Sequence, residues 1–85
     1  MSKSEGIGEI SSLILTIAKA VVDNPEQVIL NVTETPQTVL FTLSIAREDF
    51  GRVIGAKGQT IGAMRTLLYA LGGKHKMRVI LEVLE

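Results

Sequence analysis

The sequence predicts an α+β fold in the order α-β-β-α-α-β, with a three-stranded mixed sheet and helices packed on one of its faces. Two periodicities carry the prediction. Three segments repeat apolar residues every three to four positions, and three others alternate them at every second position. The third observation is connectivity. A short turn separates the first two strands, whereas two helices separate the last two. A short link makes an antiparallel hairpin, and a helical crossover makes a parallel pair.

The elements follow in order. Ile7, Ile10, Ile14, Ile17 and Val21 mark the first helix. Ser4 is its expected N-cap, and Asn24-Pro25 ends it. Its apolar arc spans roughly 220°, wide for a helix with one solvated side. QVILNVT alternates Val28, Leu30 and Val32 and reads as a strand. ETPQ supplies a turn at Pro36. TVLFTLSIA then alternates Val39, Phe41, Leu43 and Ile45 as a second strand. Arg47 to Ile54 reads as a brief helix with Phe50, Val53 and Ile54 on one side, closed by Gly55. Gln59 to Leu71 carries Ile61, Met64, Leu67, Leu68 and Leu71 on one arc, and Gly72-Gly73 is expected to end it. KMRVILEVLE alternates Met77, Val79, Leu81 and Val83 as the third strand. No internal repeat or linker is visible.

Composition narrows the function. A length of 85 residues suits one domain with a modest core. Hydrophobic residues make up 46%, and the mean hydropathy of +0.33 is high for a solvated monomer. The absence of Cys excludes a disulfide framework and a thiolate metal site. The opening MSKSEGIGEISS is too polar for a secretory signal. Leu13 to Val22 is interrupted by Thr16 and Lys19 and is too short to span a bilayer. A cytoplasmic protein without membrane association is expected. The net charge is zero but unevenly spread. Residues 1–49 hold three cations and seven acids, while residues 50–81 hold Arg52, Lys57, Arg65, Lys74, Lys76 and Arg78 and no acid. Such asymmetry points to an anionic partner for the second half.

The stretch GRVIGAKGQT gives that partner a place. Gly55-Ala56-Lys57-Gly58 joins two helices, and the second helix begins with free N–H groups able to meet phosphate oxygens. Glycine at both corners lets a sugar-phosphate chain come close, and Lys57 adds a point charge. The nucleotide P-loop pattern fails here. The pattern needs Gly five positions after the first, but Gly51 is followed at that distance by Ala56, and Lys57 is followed by Gly58 instead of Ser or Thr. No dinucleotide fingerprint is present either.

VIGAKGQTI, set between two helices in this element order, resembles the Ile-Gly-x-x-Gly-x-x-Ile motif of a KH domain, through Ile54, Gly55, Gly58 and Ile61. IAKAVVDNPEQV, EDFGRVIGAKGQTI, MRTLLYAL and RVILEVLE are similar to the small bacterial proteins that consist of one KH domain, the KhpA family. The resemblance runs from about Leu13 to Glu85. It implies a type II KH-like fold, a single KH domain over 1–85 with 1–6 as a flexible extension, and single-stranded RNA as partner. It further implies that Gly55, Ala56, Lys57 and Gly58 hold phosphates, that Val53, Ile54 and Ile61 floor an apolar groove for bases, and that a second KH-containing protein is a possible partner. Ala56 and Gln59 stand where the family often has Lys and Arg, which removes two phosphate-facing cations. Arg52 and Arg65 are further candidates for contact with RNA.

Other residues read as structural. Lys74, Lys76 and Arg78 suit a solvated edge, Tyr69 suits packing or surface, and His75 suits the surface. Glu48 and Asp49 suit the start of a helix, where they favour its dipole. With one His and no nucleophile–base pairing, no enzymatic activity, cofactor or metal is expected. Gly62, Ala63, Thr66 and Ala70 form a smooth strip on the outer side of the penultimate element, which predicts a homodimer or heterodimer.

Overall fold

A computed structural model describes residues 3–85 of the chain. Helix α1 covers Lys3–Val21 and is followed by a single 3-10 turn at Pro25–Gln27. Strand β1 covers Ile29–Glu34 and β2 covers Thr38–Ser44. A second 3-10 turn at Arg47–Asp49 leads into the short α2, Phe50–Ile54. A third, at Ala56–Gly58, leads into α3, Gln59–Lys74, and β3 covers Arg78–Leu84.

The sheet order is β1-β2-β3, with β1 antiparallel and β3 parallel to β2. The predicted connectivity therefore holds. Thr35 sets the hairpin turn: its amide donates to the Thr38 carbonyl at 2.8 Å, and its hydroxyl accepts from the Thr38 amide at 3.0 Å. Register places Val39 beside Val79 and Phe41 beside Leu81. All four are buried, and they face Ile10 and Ile14 of α1, Val53 of α2, and Ile61, Met64 and Leu68 of α3 in one core. Strand side chains alternate between faces. The opposite face of the sheet consequently carries Ile29, Ile80 and Leu84, which remain exposed.

Several local expectations change. Ser4 lies inside α1, which already runs at Lys3, and Gly6 within the expected flexible extension is buried. Met1 and Ser2 lie outside the described residues. Gly72-Gly73 does not end α3, which continues to Lys74. Gly72 is instead packed against the entry to β3: a Cβ there would lie 2.8 Å from the Met77 carbonyl oxygen and 2.9 Å from Val79 Cγ2. Leu67 does not belong to the core. It is 51% exposed, because α3 turns its Ile61–Met64–Leu68 row inward and leaves Leu67 on the outer side.

His75 is also not a surface residue. Its side chain is 2% exposed and covers Gly6, where a Cβ would come within 2.8 Å of the ring. Nε2 of His75 donates to Oε2 of Glu9 at 3.1 Å, and Lys74 pairs with Oε1 of the same carboxylate at 3.5 Å. The His75 hydrogen bond and the Lys74 charge outweigh desolvation and hold the Glu9 pKa below its ordinary value. The start of α1 is thereby clasped to the end of α3.

Candidate nucleic-acid interface

The glycine turn is built by two backbone reversals. Gly55, with φ 79° and ψ 169°, stops α2 while its amide still donates to the Gly51 carbonyl at 2.8 Å. A Cβ at Gly55 would collide with Thr60 Oγ1 and lie 2.8 Å from the Thr60 amide nitrogen. Glycine is therefore required there both by conformation and by space. Gly58, with φ 74° and ψ 17°, is left-handed, but a Cβ there would meet nothing within 4 Å, so only its conformation favours glycine. Between them Lys57 is also left-handed, with φ 54° and ψ 26°. A lysine in that region carries strain of about 1–2 kcal/mol. Strained residues of this kind gather at ligand sites.

The surroundings of the turn are open and basic. Ala56, Lys57 and Gln59 are exposed, and Gly58 is half-buried. Lys57 makes no ion pair among the described residues. Extended backbone at Gly55 removes the helical carbonyls that the first amides of the following turn would otherwise meet. The Gly58 and Gln59 amides donate to the Gly55 and Ala56 carbonyls inside the turn, so the polar group it leaves open to an anion is the Lys57 ammonium.

The remaining candidates divide. Ile54 is half-buried and keeps surface beside the turn, whereas Val53 and Ile61 are core residues, at 1% and 5% exposure. Of the three expected to floor a groove, Val53 and Ile61 instead support the turn from beneath. Arg52 points away, toward Asp23, with Nη2 3.3 Å from Oδ2. Arg65 is half-buried, and its Nη2 donates to the Leu81 carbonyl of β3 at 2.9 Å. Tyr69, 57% exposed, lines a shallow groove with Gly73, Met77, Arg78, Val79 and Ile80 along the same flank of α3.

The family model of the KhpA/KhpB KH domain matches residues 11–83, which contain β1, β2, the glycine turn, α3 and all but the last residue of β3. The chain belongs to the KhpA/KhpB KH-domain family. The chain is 45% identical to the RNA-binding protein KhpA of Listeria monocytogenes serovar 1/2a over 73 residues, 86% of this chain and 96% of the relative. It is 46% identical to the RNA-binding protein KhpA of Caldanaerobacter subterraneus subsp. tengcongensis over 72 residues, 85% and 96% of the two chains. The RNA-binding protein KhpA of Chlamydia pneumoniae is 41% identical over 69 residues, 81% of this chain and 88% of that one. No solved structure matches the chain. Of the clasp between α1 and α3, Gly6 and Glu9 lie before the matched residues, and Lys74 and His75 lie within them.

Sequence reasoning missed one residue that holds this KH domain's turn in place. Asp49 is 1% exposed and does not merely favour a helix dipole. Its Oδ1 accepts from the Asp23 amide at 3.1 Å, and its Oδ2 accepts from the Asn24 amide and from Asn24 Nδ2, both at 3.0 Å. Burial by itself would raise the Asp49 pKa. The bonds from Asn24 and Asp23, with the charge of Arg52, outweigh burial and hold the carboxyl below its ordinary value. Asp49 thus ties the end of α1 to the start of α2, whose far end is the glycine turn. No local pattern announces this, since its partners lie 25 and 26 positions away. For His75 a signal did exist: Gly6, a glycine inside a helical pattern, marks a close approach.

Among the described residues, no group of three or more His, Cys, Asp or Glu side chains is placed to hold a metal ion. No helix among them is long and apolar enough to cross a membrane.

Proposed function

We propose that this KH domain binds single-stranded RNA in the cytoplasm, without catalysis, and acts in post-transcriptional regulation or as an RNA chaperone. The observation that carries the reading is the turn itself. Three left-handed or glycine-only conformations in four residues present an exposed cation, Lys57, that makes no ion pair among the described residues, beside α3. The relatives' names as RNA-binding proteins support it. Phosphates meet the Gly55-Ala56-Lys57-Gly58 turn through the Lys57 ammonium and the close approach that its glycines and Ala56 allow, with Gln59 adding a hydrogen bond where a cation would add charge. Bases lie along Ile54 and the flank of α3, over the support given by Val53 and Ile61. Arg65 reaches the RNA, and Arg52 does so when it leaves Asp23.

The test is Ala56→Asp combined with Lys57→Asp. Both positions are exposed, and Asp tolerates the left-handed region better than most residues. Circular dichroism should be unchanged while RNA affinity, read by fluorescence anisotropy, falls at least tenfold. An unchanged affinity in a folded variant removes the turn as the site.

A second reading, a homodimeric or heterodimeric adaptor built with another KH-containing protein, is favoured by one observation. Gly62, Ala63, Thr66 and Ala70 are all exposed on α3, with the exposed Leu67 among them. A small-residue strip with one protruding apolar side chain allows two helices to approach closely. The two readings are compatible, since paired domains would place two RNA sites on one particle.

A further inference from the structure

We propose that the free edge of β1 is a docking site for an extended, basic segment of a partner protein, which it takes up as a fourth strand of the sheet.

The sheet has two edges, and they differ. β3 ends the order on one side. Its Leu84 carbonyl accepts from the Ile45 amide, just past β2, at 3.1 Å. Backbone groups alternate sides along a strand, so Leu81, three positions earlier, turns its carbonyl away from β2. Arg65 of α3 donates to that carbonyl at 2.9 Å. β1 ends the order on the other side. The Thr35 amide donates across the hairpin to the Thr38 carbonyl at 2.8 Å, which sets the alternation for this strand. Ile29, Asn31 and Thr33 share the parity of Thr35 and bond to β2. Leu30, Val32 and Glu34 therefore point their N–H and C=O groups outward, where β1 has no neighbour.

Nothing within the strand guards those groups. Proteins blunt a sheet edge with lysine, proline or a bulge. Ile29–Glu34 contains no lysine or proline, and its pairing with β2 runs from Ile29–Ser44 to Glu34–Val39 without a break. The helices stop short of it as well. Val32 sits on the helix-covered face, opposite the fully buried Phe41, yet is 39% exposed. Ile29, on the other face, is 57% exposed. An added strand pairs the outward groups and lays its own alternating side chains over Val32 and Ile29.

Charge selects the occupant. Residues 20–46 contain Asp23, Glu26 and Glu34 and no cation. Asp23 is held by Arg52. Glu26 stands exposed just ahead of β1, and Glu34 closes it. Lys3 reaches Glu34 from α1 at 3.5 Å, but Glu26 makes no ion pair among the described residues. A second copy of this strand brings the same acids and no cation. An extended segment with alternating apolar residues and a cation near each end complements the edge in both respects. The docking edge lies across the sheet from the one that α3 lines.

The test uses the whole chain and a labelled peptide about ten residues long, of alternating valine and threonine with lysine at both ends. N-methylation along one of its edges prevents it from pairing with itself. A twin peptide carries glutamate at both ends. At low salt, fluorescence anisotropy should show the lysine peptide binding about tenfold more tightly than its twin, because two exposed attractions become repulsions. Saturating lysine peptide should slow hydrogen exchange at the Leu30, Val32 and Glu34 amides and leave Asn31 and Thr33 unchanged. Val32→Pro removes the central outward N–H, a change that an edge strand tolerates, and should abolish binding. Glu26→Lys combined with Glu34→Lys serves if that variant unfolds, and it should prefer the glutamate peptide. Equal binding of both peptides by wild type overturns the proposal, as do binding of neither, protection confined to other amides, and a lysine preference that survives charge reversal. Exchange at the three amides that slows with protein concentration alone makes a second copy the occupant and overturns it too.

Discussion

Gly55 and Gly58 stand in the same turn for different reasons, and substitution separates them. Gly58→Ala meets open space and bears only the left-handed penalty, about 1–2 kcal/mol. Gly55→Ala bears that penalty and also drives a methyl into Thr60, so its cost should reach about 3 kcal/mol. Thermal melts should show the second variant falling well below the first, by about 4–8 °C for each kcal/mol at this chain length. Equal melting temperatures would mean that Thr60 moves aside freely. Asp49 is the other residue whose role is set by its neighbours. Its native pKa is depressed, so its stabilising contribution is complete above the unfolded value of about 3.9 and is lost as pH falls through the native value. Asp49→Asn should therefore melt below wild type at pH 7, with the gap closing as acid takes the pH through the depressed native value. A gap that stays constant throughout the acid range would place the effect in packing instead of charge.

At the scale of elements, α1 is held at both ends. Asp49 accepts from the two amides just after its C-terminus, and His75 with Glu9 secures its first turns to α3. Two glycines in those turns make the second contact measurable. Gly8 has nothing within 4 Å of a Cβ, and Gly6 has the His75 ring at 2.8 Å. Gly8→Ala should stabilise the protein by about 0.5–1 kcal/mol, because alanine loses less backbone entropy in a helix. Gly6→Ala should destabilise it by about 1–2 kcal/mol, because the crowding against a buried ring exceeds that gain. Denaturant titration of both variants checks the pair. Opposite signs are expected, and stabilisation by both would show that the ring swings out at little cost.

For the molecule as a whole, the exposed small-residue strip on α3 decides between a solitary domain and a pair. Among the described residues α1 carries none of the large exposed hydrophobics, although its apolar arc is wide for a helix with one solvated side. Its Ile7, Leu13, Ile17 and Val21 are half-covered by packing against the core. Self-association is therefore expected through α3. Wild type should sediment as a dimer at high micromolar concentration, and Ala63→Glu or Ala70→Arg should return it to a monomer. A wild type that remains monomeric excludes homodimerisation, and a dimer indifferent to both substitutions moves the interface elsewhere.

The element order, the strand directions and the glycine turn were all determined by the sequence, because each rests on short-range physics. Side-chain period distinguishes Ile7–Val21 from Val39–Ile45, link length sets antiparallel or parallel pairing, and glycine at 55 and 58 meets a backbone need that is local. The KH resemblance drew on that same contiguous stretch, VIGAKGQTI. What tertiary structure alone decided are the contacts between distant positions. Leu67 and Leu68 are equally apolar, yet only packing against β3 and α1 determines which one is covered. Asp49 reaches back to Asp23 and Asn24, His75 reaches Glu9 across 66 positions, and Arg65 finds an outward carbonyl of an edge strand. Polar side chains of this kind carry no periodic signature. Their partners are chosen by where the backbone brings a donor or acceptor within about 3 Å, and that distance exists only once the chain has folded.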